Sequence, residues 1–160
     1  MALDASQLAS LIENHAGSLQ LWIRSRCASS EDVVQEAFCR LAVQEPSPDN
    51  PVAWLYRVCR NLAEKQRLSD SRRVQREQTW AHTHTAGKSI DPTDLAETLA
   101  AVKSLDEEFR EVLIARLWGG LSLEEVAKLC GISTTTAFRR YESALQKLRA
   151  KLIPICEEQT

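Results

Sequence analysis

A chain of 160 residues has room for one mid-sized domain or two small ones, and 44% hydrophobic residues with only five Gly and five Pro suit a helical soluble protein. No apolar run approaches the ~18 residues that a bilayer span requires. Acidic Asp4, with no basic stretch ahead of an apolar core, leads us to expect neither a signal peptide nor membrane insertion. The net charge of -2 excludes a protein that grips DNA by overall charge, because unaided binding draws on phosphate neutralisation. A local basic patch or a larger partner must supply that affinity.

In chain order, Leu8, Leu11, Ile12, Leu19, Trp22 and Ile23 follow helical spacing and predict a first helix from about Ala5 to Arg26, with Gly17 a weak point. Ser29 and Ser30 precede a second helix, Glu31 to about Val43. Its inward stripe is Val33, Val34, Ala37, Phe38 and Leu41, and its opposite face holds Asp32, Gln35, Glu36 and Cys39. The prolines of segment 45–50 mark a loop. Asn50 as N-cap and Pro51 at the first helical position then start a third helix running to about Leu68. Val52, Leu55, Val58, Cys59 and Leu62 form its expected buried stripe, with Tyr56 and Ala63 on the margin.

From about Ser69 to Ile90 the apolar periodicity lapses, which reads as a linker, flexible at least in part. Asp91-Pro92 opens a second domain, with one helix carrying Leu95, Leu99 and Val102. A further helix from about Asp106 to Leu117 carries Phe109, Val112, Leu113 and Leu117 and ends at Gly119-Gly120. No strand pattern occurs. The expected fold class is all-α: two small helical domains, 1–70 and 94–156, joined by a linker over 71–93.

The segment from Ser122 to Tyr141 is the most informative. Ser122 with Glu125 forms a capping box. Val126 and Ala127 face inward, and Gly131 stands at a break that calls for positive φ. Ser133 or Thr134 caps a second helix carrying Arg139 and Arg140. This is a helix-turn-helix, whose second helix reads the DNA major groove. Thr135, Thr136, Arg139 and Ser143 lie on its outward face by helical spacing, flanked by Arg140. The same helix keeps a stripe of Ala137, Tyr141, Ala144, Leu145, Leu148 and Leu152 until Pro154 stops it. Its tail is locally basic, with Lys147, Arg149 and Lys151 beyond Arg139 and Arg140.

The third helix carries a second constellation. Trp54, Arg57 and Asn61 line one face, opposite the apolar stripe, with Arg60 alongside. An aromatic ring and a guanidinium offer planes to unstacked bases, at roughly 1–3 kcal/mol per base, and an amide can donate to and accept from a base edge. Arg60, Arg67, Arg72 and Arg73 extend a phosphate track toward the linker. On the second helix, Asp32, Gln35 and Glu36 form an acidic row that repels DNA and suits a basic protein surface.

Together these segments resemble the extracytoplasmic-function (ECF) sigma factors, small initiation subunits of bacterial RNA polymerase. The run 30–41 is similar to the family's helix for docking the β′ clamp helices, 53–62 to its minus-10 reading and strand-opening helix, and 110–149 to its minus-35 domain. The resemblance implies core polymerase, through its β′ clamp and β flap, as a partner, together with promoter DNA and an anti-sigma factor. It also implies polymerase binding by Asp32, Gln35 and Glu36, minus-10 contacts from Trp54, Arg57, Arg60 and Asn61, and minus-35 contacts from Thr135, Thr136, Arg139, Arg140 and Ser143. The chain departs from the family pattern at Phe138 and Ser143, where basic residues are common, at Arg139, where a small residue is usual, and at Glu142, often apolar or aromatic. An unusual minus-35 preference is therefore expected. The loop Ala42–Val52, part of the family's pocket for a flipped base, is short, proline-rich and free of aromatics.

No nucleophile elbow, phosphate-binding glycine loop or zinc-protease motif is present, so the chain is expected not to be an enzyme and to hold no cofactor. His82 and His84 alone make a poor metal site, since structural zinc wants four ligands. Five widely spaced cysteines (Cys27, Cys39, Cys59, Cys130 and Cys156), none in a C-x-x-C pair, behave as small hydrophobes and fit a reducing cytoplasm. A stand-alone helix-turn-helix regulator that binds duplex DNA without polymerase is the alternative. It would leave the acidic row and the Trp54 face without a purpose.

Overall fold

The computed structural model describes residues 3–73 and 92–152, except for the side chains at 70–73 and 92–95. Seven helices and no strand occur among the described residues: α1 (Ala5–Ile23), α2 (Ser30–Val43), α3 (Pro51–Arg73), α4 (Pro92–Lys103), α5 (Glu107–Leu117), α6 (Leu123–Cys130) and α7 (Thr134–Leu152). The chain divides into two compact units, Met1–Ala86 and Gly87–Thr160. The expected linker over 71–93 lies largely outside the described residues, as do His82, His84 and Cys156 and the side chains of Arg72, Arg73 and Leu95.

In the first unit, α1 starts in a capping box: the Asp4 carboxylate accepts from Ser6 N at 3.1 Å, and Gln7 Oε1 accepts from Asp4 N at 3.2 Å. The helix runs unbroken through Gly17 and stops at Ile23, three residues short of the expected Arg26. There Arg26 N and Cys27 N both donate to Ile23 O, tightening the chain into a turn. Its core-forming half is the second one. Leu19, Trp22 and Ile23 are fully buried, Leu8 and Leu11 half-buried, and Ile12 is 41% exposed. Against them pack Val33, Val34, Ala37, Phe38 and Leu41 of α2.

The buried stripe of α3 is rotated from the expected one. Leu55, Tyr56, Cys59 and Ala63 are fully buried, while Val52, Val58 and Leu62 are half-buried. Tyr56 turns the helix. Its ring meets Trp22 edge-to-face, with centroids 5.1 Å apart and planes at 72°, and its hydroxyl donates to Ser18 Oγ at 3.3 Å. Desolvation pushes the Tyr56 phenol up to about 12. Burial, followed by the influence of Cys27, does the same to the Cys59 thiol, which makes it a packing group rather than a nucleophile. The helix also outlasts its expected end at Leu68, reaching Arg73. Arg67, Leu68 and Ser69 are already exposed and no Gly or Pro interrupts residues 69–73, so the apolar stripe ends before the helix does.

In the second unit, α5 is nearly engulfed. Val112, Leu113, Ile114 and Ala115 are consecutive and buried, and Glu111 is buried with them, because α6 and α7 both pack on this short helix. Leu117, expected in the core, is 49% exposed instead, and Phe109 is half-buried. After α5 the chain reverses at Gly120 (φ 64°), with Leu121 N donating back to Ala115 O at 3.2 Å. Ser122 and Glu125 form the expected capping box at α6, with bonds of 3.2 and 2.8 Å. Gly131 caps its far end in the left-handed region at φ 68°. Ser133, rather than Thr134, caps α7 by accepting from Thr136 N at 3.1 Å.

Candidate nucleic-acid and polymerase interfaces

The outer face of α2 carries Asp32, Gln35, Glu36 and Cys39, all exposed. Glu31 and Asp32 lie in its first turn, where the helix dipole favours negative charge. Arg40 Nε holds Glu36 at 2.8 Å along the same helix. Two depressions flank this row. On one side an apolar groove of about 510 Å³ opens between α1 and α2, bordered by Ile12, Val34, Gln35, Phe38 and Ala42. On the other, a cleft of about 240 Å³ separates α2 from α3, bordered by Asp32, Glu36, Lys65 and Gln66. The acidic row is therefore the crest of a ridge. The groove was not foreseen from sequence. Its signal was Ile12, an apolar residue on the overhanging half of α1.

On α3, Asn50 Oδ1 accepts from Ala53 N at 3.1 Å and Pro51 occupies the first helical position, which fixes the start of the Trp54 face. Arg57 and Asn61 are exposed, whereas Trp54 and Arg60 are half-buried. The bulk of Trp54 is thus partly packed at the edge of this face, with the polar ends of Arg57 and Asn61 projecting beyond it.

On α7 the open face is turned relative to the expected one. Thr135 and Arg139 are exposed, but Thr136, Arg140 and Ser143 are half-buried. The Thr136 hydroxyl shares a 2.8 Å hydrogen bond with Ser133 Oγ. Arg140 Nη2 lies 3.4 Å from Glu108 of α5. Farther along, Lys147 pairs with Asp106 at 3.8 Å and stacks 4.0 Å above the Phe109 ring, and Lys151 bonds to Ser104 Oγ. Much of the basic tail thus anchors α7 to the α4–α5 corner. Arg110 braces the same corner by donating to the Lys103 and Leu105 carbonyls. Two residues outside the expected minus-35 set, Phe138 and Glu142, are exposed beside Thr135 and Arg139. Among the described residues no cluster of His, Cys, Asp and Glu could hold a metal, and no helix is long and apolar enough to cross a membrane.

A three-helix unit bearing an acidic ridge and an aromatic-basic face, followed by a helix-turn-helix unit, defines a sigma-70-type transcription initiation factor. The family description "Sigma-70 region 2" matches residues 7–74, and "Sigma-70, region 4" matches residues 101–150. The chain is 32% identical to the ECF RNA polymerase sigma factor EcfG of Rhodopseudomonas palustris, over 77% of this chain and 71% of that protein. It is 26% identical to RfaY of Xanthomonas campestris pv. campestris, a probable RNA polymerase sigma factor, over 92% of this chain and 40% of RfaY. The present chain therefore spans well under half of RfaY. Two solved structures share the fold. The sigma factor RpoE in complex with the anti-sigma factor NepR from Bartonella quintana gives a TM-score of 0.59 at 23% identity, covering 90% of this chain and 94% of that one. CnrH in complex with the cytosolic domain of CnrY gives 0.54 at 22% identity, covering 98% and 92%. The chain belongs to the ECF family of RNA polymerase sigma factors.

Proposed function

We propose that this chain directs core RNA polymerase to specific promoters and assists strand opening, with labour divided between residues 1–70 and 94–156 and a linker over 71–93. Asp32, Gln35 and Glu36 dock the β′ clamp helices. Trp54, Arg57, Arg60 and Asn61 engage the melted minus-10 strand. Thr135 and Arg139, supported by Thr136, Arg140 and Ser143, face the minus-35 duplex, and the same unit meets the β flap. The polymerase performs the nucleotidyl transfer, in the cytoplasm, and this chain is not itself an enzyme. Because the sigma factor RpoE, which shares this fold, is seen with the anti-sigma factor NepR, a protein of that kind is proposed as its inhibitor.

The observation that carries this reading is the pairing, on one three-helix unit, of an exposed acidic row on α2 with the Arg57–Asn61 face of α3. The first repels DNA and the second suits it, so the unit must hold a protein and a nucleic acid at once. The test is co-purification with core polymerase followed by sequencing of run-off transcripts from genomic fragments. Promoter-dependent transcripts that require both components are expected. Absent core binding with no transcript from any fragment would overturn the proposal.

A further inference from the structure

We propose that Phe138 is a promoter-reading residue that seats against the 5-methyl group of a thymine in the minus-35 duplex. The inference rests on the reading of α7 as the duplex-binding helix and names the chemistry of that contact.

A single exposed apolar side chain is unremarkable by itself. Phe138 differs in its surroundings. It lies in the second turn of the second helix of the helix-turn-helix, 46% exposed, while its chain neighbour Ala137 is fully buried. The N-terminal turns of such a helix are those that reach base edges. Two of the polar residues in these turns are held inside the unit: Thr136 is tied to the Ser133 cap and Arg140 to Glu108. The exposed surface left in these turns is Thr134, Thr135, Phe138, Arg139 and Glu142, and Phe138 is the one apolar side chain among them. Phe138 lies three residues after Thr135 and four before Glu142, so the three share one flank of the helix.

The major groove distinguishes thymine by its C5 methyl group, an apolar target with no hydrogen-bonding alternative, and phenylalanine is among the side chains that contact it. A ring kept in water on a groove-facing helix gains by covering that methyl. A basic side chain at this position would have made a phosphate or guanine contact instead, so Phe138 shifts selectivity toward thymine.

The test uses the whole chain bound to core polymerase and a library of duplexes randomised over the minus-35 segment. Selected duplexes are then remade with each thymine replaced in turn by deoxyuridine, which removes only the methyl group. One replacement is expected to lower capture about fourfold, the effect of one buried methyl. That sensitivity should vanish in Phe138→Ala and persist in Phe138→Leu, with core binding unchanged in both. Selection of no thymine, or deoxyuridine captured as well as thymine at every position, would overturn the inference while leaving promoter reading intact. So would a sensitivity that survives Phe138→Ala but disappears in Thr135→Ser. Core binding without any sequence-selective capture would instead remove the minus-35 assignment itself, and this contact with it.

Discussion

At the scale of single residues, exposure and partnership separate side chains that the sequence leaves alike. Asp32 is exposed on the crest of α2, where its carboxylate meets the fold only through the helix dipole, so Asp32→Lys should weaken polymerase binding while the reversed charge costs about 1 kcal/mol of stability, a few degrees in the unfolding midpoint. Pull-down with core enzyme and a melting curve on the same sample decide it. Arg139 and Arg140 are adjacent in sequence but differ in kind. Arg139 is exposed, so Arg139→Ala should cost about 1–3 kcal/mol of discrimination at one base pair, read as an altered promoter profile. Arg140 is paired with Glu108, so Arg140→Ala should cost at most about 1 kcal/mol of stability, as partly exposed ion pairs do, and leave base preference nearly untouched. The reverse pattern would show that α7 presents its other flank to DNA.

At the scale of elements, the turn between α6 and α7 is set by local chemistry. Gly131 sits at φ 68°, and an added Cβ would meet nothing within 4 Å, so the cost of Gly131→Ala is purely conformational. It should destabilise the second unit by about 1–2 kcal/mol, measurable as a lower urea midpoint. Features of this local kind were legible in the sequence: the Ser122–Glu125 capping box, the Gly131 turn, the Asn50–Pro51 helix start and the alternation of faces on α2. Each is fixed by residues within four positions of one another. What was not legible depends on distant partners. The rotation of α3 follows from Trp22 and Ser18 receiving Tyr56, contacts separated by more than thirty residues. The engulfment of α5 depends on two later helices. Two of the five expected minus-35 residues are engaged inside their own unit, because Glu108 and the Ser133 hydroxyl reach Arg140 and Thr136 first. The ends of α1 and α3 differ from expectation for local reasons: a turn closed on the Ile23 carbonyl stops α1 early, and the polar sequence after Leu68 carries no periodic signal although α3 continues.

At the scale of the whole molecule, charge decides what the chain can do alone. The net charge is -2, and of the five basic residues on α7, Arg140, Lys147 and Lys151 are engaged with the α5 helix or the α4–α5 corner. Arg139 and Arg149 remain exposed for phosphate or base contact. Affinity for duplex DNA falls with salt at a logarithmic slope of about -0.9 per phosphate neutralised. The α7 helix of the isolated chain should therefore show a slope of only about -2, far too little for specific binding at physiological salt. Joined to core polymerase, the same chain should bind promoters tightly with a much steeper slope, because most phosphate contacts then belong to the larger enzyme. Titrating a fluorescent promoter duplex with the chain, with and without core, across a series of salt concentrations measures both slopes. A steep slope and tight, selective binding by the chain alone would transfer the grip on DNA from the polymerase to this protein and favour a stand-alone regulator. A shallow slope that steepens with core is what the internal pairing of α7 requires.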